Sequence, residues 1–251
     1  MLRLLPQWNL VRDLCLRFEW FGDTAFVAEL LGIVLAMIIG YLLGSLNSAI
    51  IISRLFLHRD IRAHGSKNAG ATNMLRTYGT RYAVMTLALD MFKGVVATAL
   101  GFVAFGMNGA AVAGFFCIFG HMFPVYYRFK GGKGVACTGI VALMLDPWTF
   151  LVMFGCFFFI AGTTKYVSLA SIMCAFLYPL LLNAFYPAPV EFPTGKGLVV
   201  LMGVLTTVFV VFMHRENIKR LYHGKESKLS FSKKKKEAPV QETVENEGGD
   251  L

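Results

Sequence analysis

Seven apolar runs constrain this chain more than any other feature. They lie at about 26–56, 82–104, 109–127, 134–145, 149–162, 167–186 and 197–213. A helix crossing the hydrocarbon core of a bilayer needs about 20 apolar residues, and five of the runs meet or approach that length. The fourth and fifth, split by Asp146-Pro147, are shorter. Lipid offers the backbone no hydrogen bonds, so such runs must satisfy their own amides as helices. The expected fold is therefore all-α, a polytopic membrane protein with seven transmembrane helices. Composition agrees: 56% of residues are hydrophobic and only 16% charged, against about 25% charged in an average soluble domain.

Charge then orients the runs. If every run crosses, the segments 54–81, 128–133, 163–166 and 214–251 share one side and hold 19 of the 24 Lys and Arg. The opposite connections, 105–108, 146–148 and 187–196, hold only Lys196. Excess Lys and Arg marks the cytoplasmic face, so the N-terminus is expected outside and the C-terminus inside. The net charge of +9 points to an anionic membrane face or anionic substrates, and not to nucleic acid.

Three regions follow. Residues 1–24 form an N-terminal extension in which Arg3, Arg12 and Arg17 accompany Trp8, Trp20 and Phe21. That pattern suits an interfacial helix or a polar extension without a special role. No apolar h-region follows a basic start, so no cleavable signal is read. Residues 25–226 form the membrane domain. Residues 227–251 form a charged tail, read as disordered, whose four consecutive lysines are either a solvated run or a contact for anionic headgroups. Cys15, Cys117, Cys137, Cys156 and Cys174 show no CxxC spacing and read as small buried hydrophobes. No metal site is expected.

The connections on the inner side carry the chemistry. "DIRAHGSKNAGATNMLRTYG", residues 60–79, combines three glycines, the short polar groups Ser66, Asn68, Thr72 and Asn73, and the cationic forks of Arg62 and Arg76. A turn-rich loop with helix caps explains single members of this set, but poorly explains its density beside two arginines. "FKGGKG" places Gly131, Gly132 and Lys133 after His121 and Pro124. Backbone N–H groups of a glycine turn can nest an anion, with Lys133 as a point charge. It is no Walker A loop, because no glycine stands five residues before the Gly-Lys pair. In "TKYVSLAS", Ser168 and Ser171 share a helix face, as packing serines also do. In "HRENIKRLYHGKE", His214 and Asn217 share a face beside Arg215, Lys219 and Arg220, partly a positive-inside flank. Asp90 and Lys93, three apart inside the second run, are expected to pair and orient the first loop, because ionisable groups are costly at that depth. Asn47 and Ser48 face either the site or another helix.

Taken in this order, "GSLNSA", "DIRAHGSKNAGATNMLR", "DMFKG", "GHMFPVYYRFKGGKGVA", "YVSLAS" and "HRENIKRL..GKE" resemble the acyl-phosphate-dependent glycerol-3-phosphate acyltransferases of bacterial membranes, from about Tyr41 to Glu226. The chain departs from that pattern at Asn47, Lys67 and Cys137, where proline, glycine and threonine are usual. The resemblance implies seven helices, an outside N-terminus, an active site on the cytoplasmic face of the cell inner membrane, and a monomer without cofactor. It implies transfer of a fatty acyl group from acyl phosphate to the 1-hydroxyl of sn-glycerol 3-phosphate. The products are lysophosphatidic acid and phosphate, the first step of bacterial phospholipid synthesis. Carried over by motif, the catalytic residues are Ser66, Lys133, His121, Ser171 and Asn217. The substrate-binding residues are Asn68, Thr72, Arg76, Gly131, Gly132 and His214. Arg76, Lys133, Ser66 and Asn217 are assigned to glycerol phosphate, and the glycine turn with Thr72 and Ser171 to the acyl-phosphate end.

No histidine has Asp five positions on, so the HxxxxD acyltransferase motif is absent. A donor phosphate oxygen is therefore expected to take the hydroxyl proton while cations and amides stabilise the oxyanion. A transporter of phosphorylated metabolites is the alternative, but it would need a polar path between faces. A metal-dependent phosphotransferase would need clustered aspartates, which the chain lacks.

Overall fold

A computed structural model describes Leu2 and residues 9–18, 23–186 and 195–228. Arg3, Trp8, Trp20, Phe21, the connection 187–194 and the four lysines of the tail lie outside the described residues, as do the expectations placed on them. Among the described residues every regular element is helical. The α-helices are α1 (Leu10–Arg17), α2 (Asp23–Ser45), α3 (Ser48–Leu57), α4 (Ala71–Tyr78), α5 (Thr80–Met122), α6 (Val135–Leu145), α7 (Pro147–Thr164), α8 (Val167–Phe185), α9 (Gly195–Met213) and α10 (Arg215–Tyr222), with 3-10 turns at Ile61–Ala63 and Val125–Tyr127.

Each break has a local cause. Asn47 ends the first run early: its side chain accepts from Ile50 N at 3.1 Å, starting α3, and donates to Ala69 O at 3.3 Å. Asp146 caps α7, accepting from Thr149 N at 2.8 Å and Thr149 Oγ1 at 2.7 Å. Pro147 fills the first helical position, where a missing N–H costs nothing.

Straight, the 43 residues of α5 would reach ~65 Å, about twice a ~30 Å hydrocarbon core. The element instead turns at Phe105 and Gly106, whose φ/ψ are −145°/27° and 59°/−151°. It doubles back, so Lys93 meets His121 across 28 residues and Gly101 packs on Gly109. The second and third apolar runs are thus an antiparallel pair joined inside the expected 105–108 connection.

By length and composition, five stretches suffice to cross a membrane: Leu30–Leu57, Thr80–Tyr127, Pro147–Thr164, Val167–Phe185 and Lys196–Met213. α6, with 11 residues, is shorter than a span. Leu31, Leu35, Phe158, Phe159 and Leu180 point outward and are more than half exposed, which suits lipid and not water. Inside, Phe119 and Phe209 meet edge to face at 5.0 Å between α5 and α9.

The antiparallel course returns the ends of α3, α5, α7 and α9 to one pole of the bundle. Hydrogen bonds there link the 61–63 turn to Tyr127, Lys133 to Asn217, and α8 to Glu226. The expected convergence of the four polar clusters on one end is what the structure has.

α2 packs on the returning half of α5 with no room for side chains between. A Cβ on Gly44 would sit 2.1 Å from Cys117 O. Gly44→Ala is expected to cost about 1–3 kcal/mol and lower the midpoint of thermal unfolding in detergent. Gly155→Ala, whose Cβ would meet nothing within 4 Å, is the control and should be neutral or stabilising.

Candidate active site

The first loop is tied from within. Asn73, buried at the start of α4, donates to Ile61 O, His64 O and Asn68 O, and its Oδ1 accepts from Ser66 N at 2.8 Å. In the sequence it is one of several short polar groups; in the fold it knots the whole loop. Asp60 caps the 61–63 turn and receives Arg62 and Arg54. The Arg62 hydrogen bonds, with Arg54, hold its carboxyl well below the usual range. Arg62 then reaches Tyr127 O at 2.9 Å and Lys130 O at 3.2 Å, bracing the first loop against the second. Ser66, Thr72 and Arg76 are exposed, and Thr72 and Arg76 stand one turn apart on α4.

The glycine turn works differently from the sequence expectation. Gly131 N donates to Met122 O and Gly132 N to His121 O, both at 3.1 Å. These N–H groups therefore do not form an anion nest: they fold the loop back onto the end of α5. Glycine is required because a Cβ at Gly132 would lie 2.1 Å from His121 Nε2 and 2.6 Å from Ala69 O. Among the described residues, the N–H groups of Lys133 and Gly134 have no protein acceptor. They continue into the open N-terminus of α6, which favours an anion.

His121 lies beneath the turn, buried. Its Nδ1 is 3.0 Å from Lys93 Nζ and 3.4 Å from Asp90 Oδ1. Asp90 and Lys93 pair at 2.8 Å as expected. Lys93 also donates to Gly44 O at 3.1 Å and Leu46 O at 2.9 Å, and Asp90 accepts from Ser48 Oγ at 2.9 Å. The pair orients the α2–α3 break. Asp90, His121 and Cys137 cluster as metal ligands can, but the Lys93 ammonium already stands against the first two. A second cation beside it would be repelled.

The remaining clusters meet around Lys133. Its Nζ donates to Asn217 Oδ1. Asn217 Nδ2 donates to Glu226 Oε1 at 2.6 Å, Ser168 Oγ to the same oxygen at 2.9 Å, and Arg220 Nε to Glu226 Oε2 at 2.7 Å. Burial would raise the Glu226 carboxyl, but these three donors hold it below its ordinary value. Burial lowers Lys133 to about 8; Arg220 and Arg76 push the same way against the pull of Glu226. Arg76 touches Ser227 O at 3.4 Å. Arg76 and Arg220 thus both lie close enough to Lys133 to repel its charge, with Glu226 the opposing carboxylate, an excess of cations suited to a phosphate.

His214, one turn before Asn217, is buried with Nδ1 2.8 Å from Val210 O, and burial pushes it down to about 4. Ser171 instead donates to Val167 O of its own helix at 2.8 Å, so of the two α8 serines it is Ser168 that reaches the cluster. Among the described residues, no side-chain hydrogen bond joins Ser66, Asn68 or Ser171 to Lys133 or Asn217. Glu226 and Ser168 were missed as site residues, though both lie in the quoted motifs.

Residues 34–224 match the family model described as glycerol-3-phosphate acyltransferase. The chain is 41% identical over 203 residues to a glycerol-3-phosphate acyltransferase of Finegoldia magna, covering 78% of this chain and 96% of that protein. It is 38% identical to one of Bacillus subtilis, covering 79% and 98%. It superposes on the crystal structure of PlsY (YgiH), an integral membrane glycerol 3-phosphate acyltransferase in its glycerol 3-phosphate form, with a TM-score of 0.71. Identity there is 34%, over 79% of this chain and 96% of that one. The lysophosphatidic acid form of PlsY gives 0.69 at 33% identity, over 79% and 95%.

Asp90→Asn leaves the buried Lys93 ammonium without its counter-ion. A loss of about 3–5 kcal/mol is expected, read as a lower unfolding midpoint. The double variant Asp90→Asn/Lys93→Met removes both charges but also strips Gly44 O and Leu46 O of their donor, so it should lose less than the sum of the two single variants. An unchanged single variant would remove the ion pair from the architecture.

Proposed function

The chain belongs to the glycerol-3-phosphate acyltransferase family, and on that premise we propose how its polar pole carries out the transfer. The enzyme moves an acyl group to the 1-hydroxyl of sn-glycerol 3-phosphate, giving lysophosphatidic acid, with acyl phosphate as donor. It works as a monomer in the bacterial inner membrane, with seven crossings, the N-terminus outside and the site facing the cytoplasm. The observation that carries this reading is the gathering of Arg76 and Arg220 near Lys133, opposed by the single carboxylate of Glu226, which pairs with Arg220, an arrangement that leaves room for phosphate charge at one end of an apolar bundle.

Lys133 and Arg76 grip the glycerol phosphate, and Glu226 orients Asn217 so that its amide stays fixed beside Lys133. Ser66 and Thr72, exposed on the neighbouring loop and helix, complete the polar wall. The donor phosphate lies against the free N–H groups at the start of α6. The 1-hydroxyl oxygen then attacks the acyl carbonyl carbon. The new C–O ester bond forms as the C–O bond to phosphate breaks, and the hydroxyl proton passes to a phosphate oxygen of the donor. No enzyme acyl intermediate is needed, because acyl phosphate is already activated. His121, held under the turn, acts as a positioning residue. A transporter reading is not favoured: the polar groups gather at one pole.

Purified protein given glycerol 3-phosphate with either acyl phosphate or acyl-CoA should make monoacylated product from the former. Preference for acyl-CoA would overturn the donor assignment. The Lys133 position near 8 sets a pH test. Its charged form prevails below that pH and is lost above, so the KM for glycerol 3-phosphate should climb as pH rises through 8. Lys133→Arg should flatten this climb. Lys133→Gln should lower kcat/KM by about tenfold to a hundredfold, the loss of one charge-assisted hydrogen bond of about 1.5–3 kcal/mol.

A further inference from the structure

A second cationic pocket lies apart from the Lys133 cluster. It encloses about 440 Å³ between Arg54, Arg62, Tyr126, Tyr127 and Arg128. None of these five belongs to the set proposed to bind substrate. Arg54 and Arg62 share Asp60, and Arg128 adds a third cation to the lining. The Arg54 guanidinium lies 5.7 Å from the Tyr127 ring centroid. Arg128 makes no side-chain hydrogen bond or ion pair with the described residues.

The chain neighbours of two lining arginines are apolar and outward. Leu55, Phe56 and Phe129 are 66%, 58% and 59% exposed. Leu55 and Phe56 close the apolar stretch Leu30–Leu57, so the pocket opens at the height where acyl chains give way to water. A positive-inside flank needs only cations. It needs neither aromatic walls nor a ring of large side chains presented to lipid. The backbone adds a second sign: Arg128 and Phe129 have φ of 56° and 57°, two successive side chains in the left-handed region. Strain of that kind persists where surrounding structure enforces it, commonly at ligand clamps.

Guanidinium forks bind phosphate oxygens in pairs, and outward apolar side chains next to them in the chain can accept an acyl chain. We propose that this pocket binds the phosphate of an acyl-bearing anionic lipid, with its chain lying along Leu55, Phe56 and Phe129. The occupant would also meet Arg62, whose guanidinium holds Tyr127 O and Lys130 O just ahead of the glycine turn. The lipid thereby braces the two loops of the active site without entering it.

The test reads binding, with no acyl transfer involved, so its failure is separate from failure of the acyltransferase reading. Full-length protein in neutral detergent carries Lys133→Gln, to weaken binding of phosphates at the first site. It is titrated with phosphatidylglycerol, lysophosphatidic acid, phosphatidylcholine or inorganic phosphate. Thermal unfolding is followed, and retained lipid is counted by native mass spectrometry. Phosphatidylglycerol should raise the unfolding midpoint by several degrees and remain as one bound molecule, while phosphatidylcholine does neither. Adding Arg54→Gln and Arg128→Gln, both at exposed positions, should abolish the shift. Lysophosphatidic acid matching phosphatidylglycerol would identify single-chain lipid as a ligand of the same pocket. The proposal is overturned if inorganic phosphate alone reproduces the shift, if the shift survives the arginine substitutions, or if no lipid stabilises the protein.

Discussion

The Lys93 ammonium is the joint on which the polar pole is built. α2 must stop before the first loop can form, and a helix that stops leaves its last carbonyls without partners. Lys93 donates to two, Gly44 O and Leu46 O, and Asp90 on the same helix face supplies the compensating charge. Asp90 also takes the hydroxyl of Ser48, which opens α3. One ion pair thus closes one helix, starts the next and, through His121, reaches the turn that holds Lys133. A buried pair of this sort is weak as a source of net stability. Its value here is geometric, since it fixes where the chain leaves the apolar bundle.

The cations of this pole divide by what they hold. Lys93 and Arg62 are occupied by protein carbonyls and carboxylates, and they position loops. Arg76 and Arg220 gather near Lys133, and their repulsion adds to burial, the larger cause, in lowering Lys133 against the pull of Glu226. A doubly charged phosphate relieves that repulsion. On the proposed reading, substrate affinity draws on that same excess of positive charge.

Much of this was legible in the chain. The apolar runs gave the helices. Asp146-Pro147 marked a break because its parts are a cap and a first-turn proline. The three-residue spacing of Asp90 and Lys93 announced a pair. The bias of Lys and Arg foretold the gathering of four clusters at one end, and the sparse 105–108 connection is where α5 reverses. Other features depend on contacts between distant residues and leave no local trace. Gly131 and Gly132 look like an anion nest until the end of α5 comes near enough to take their N–H groups. Ser168 and Ser171 share a face and a chemistry, and only the approach of Glu226 from 58 residues away separates them. Asn73 could not be told from its polar neighbours before the loop closed around it.

The same geometry bears on how the hydroxyl proton leaves. A general base needs a free lone pair and a suitable pKa. Asp60 is held by two arginines and pushed far below neutrality. Glu226 accepts three hydrogen bonds across its two oxygens, and its carboxyl is lowered too. Asp90 faces Lys93 inside the bundle, and His121 has one nitrogen against that pair and the other against Gly132. His214 keeps a lone pair, but at about 4 it holds a proton poorly at neutral pH. Each of these groups is committed to holding structure or is too weak, and on the proposed reading the acceptors left are the phosphate oxygens the substrates bring. On that reading, a site that gathers phosphate charge gathers its base with it.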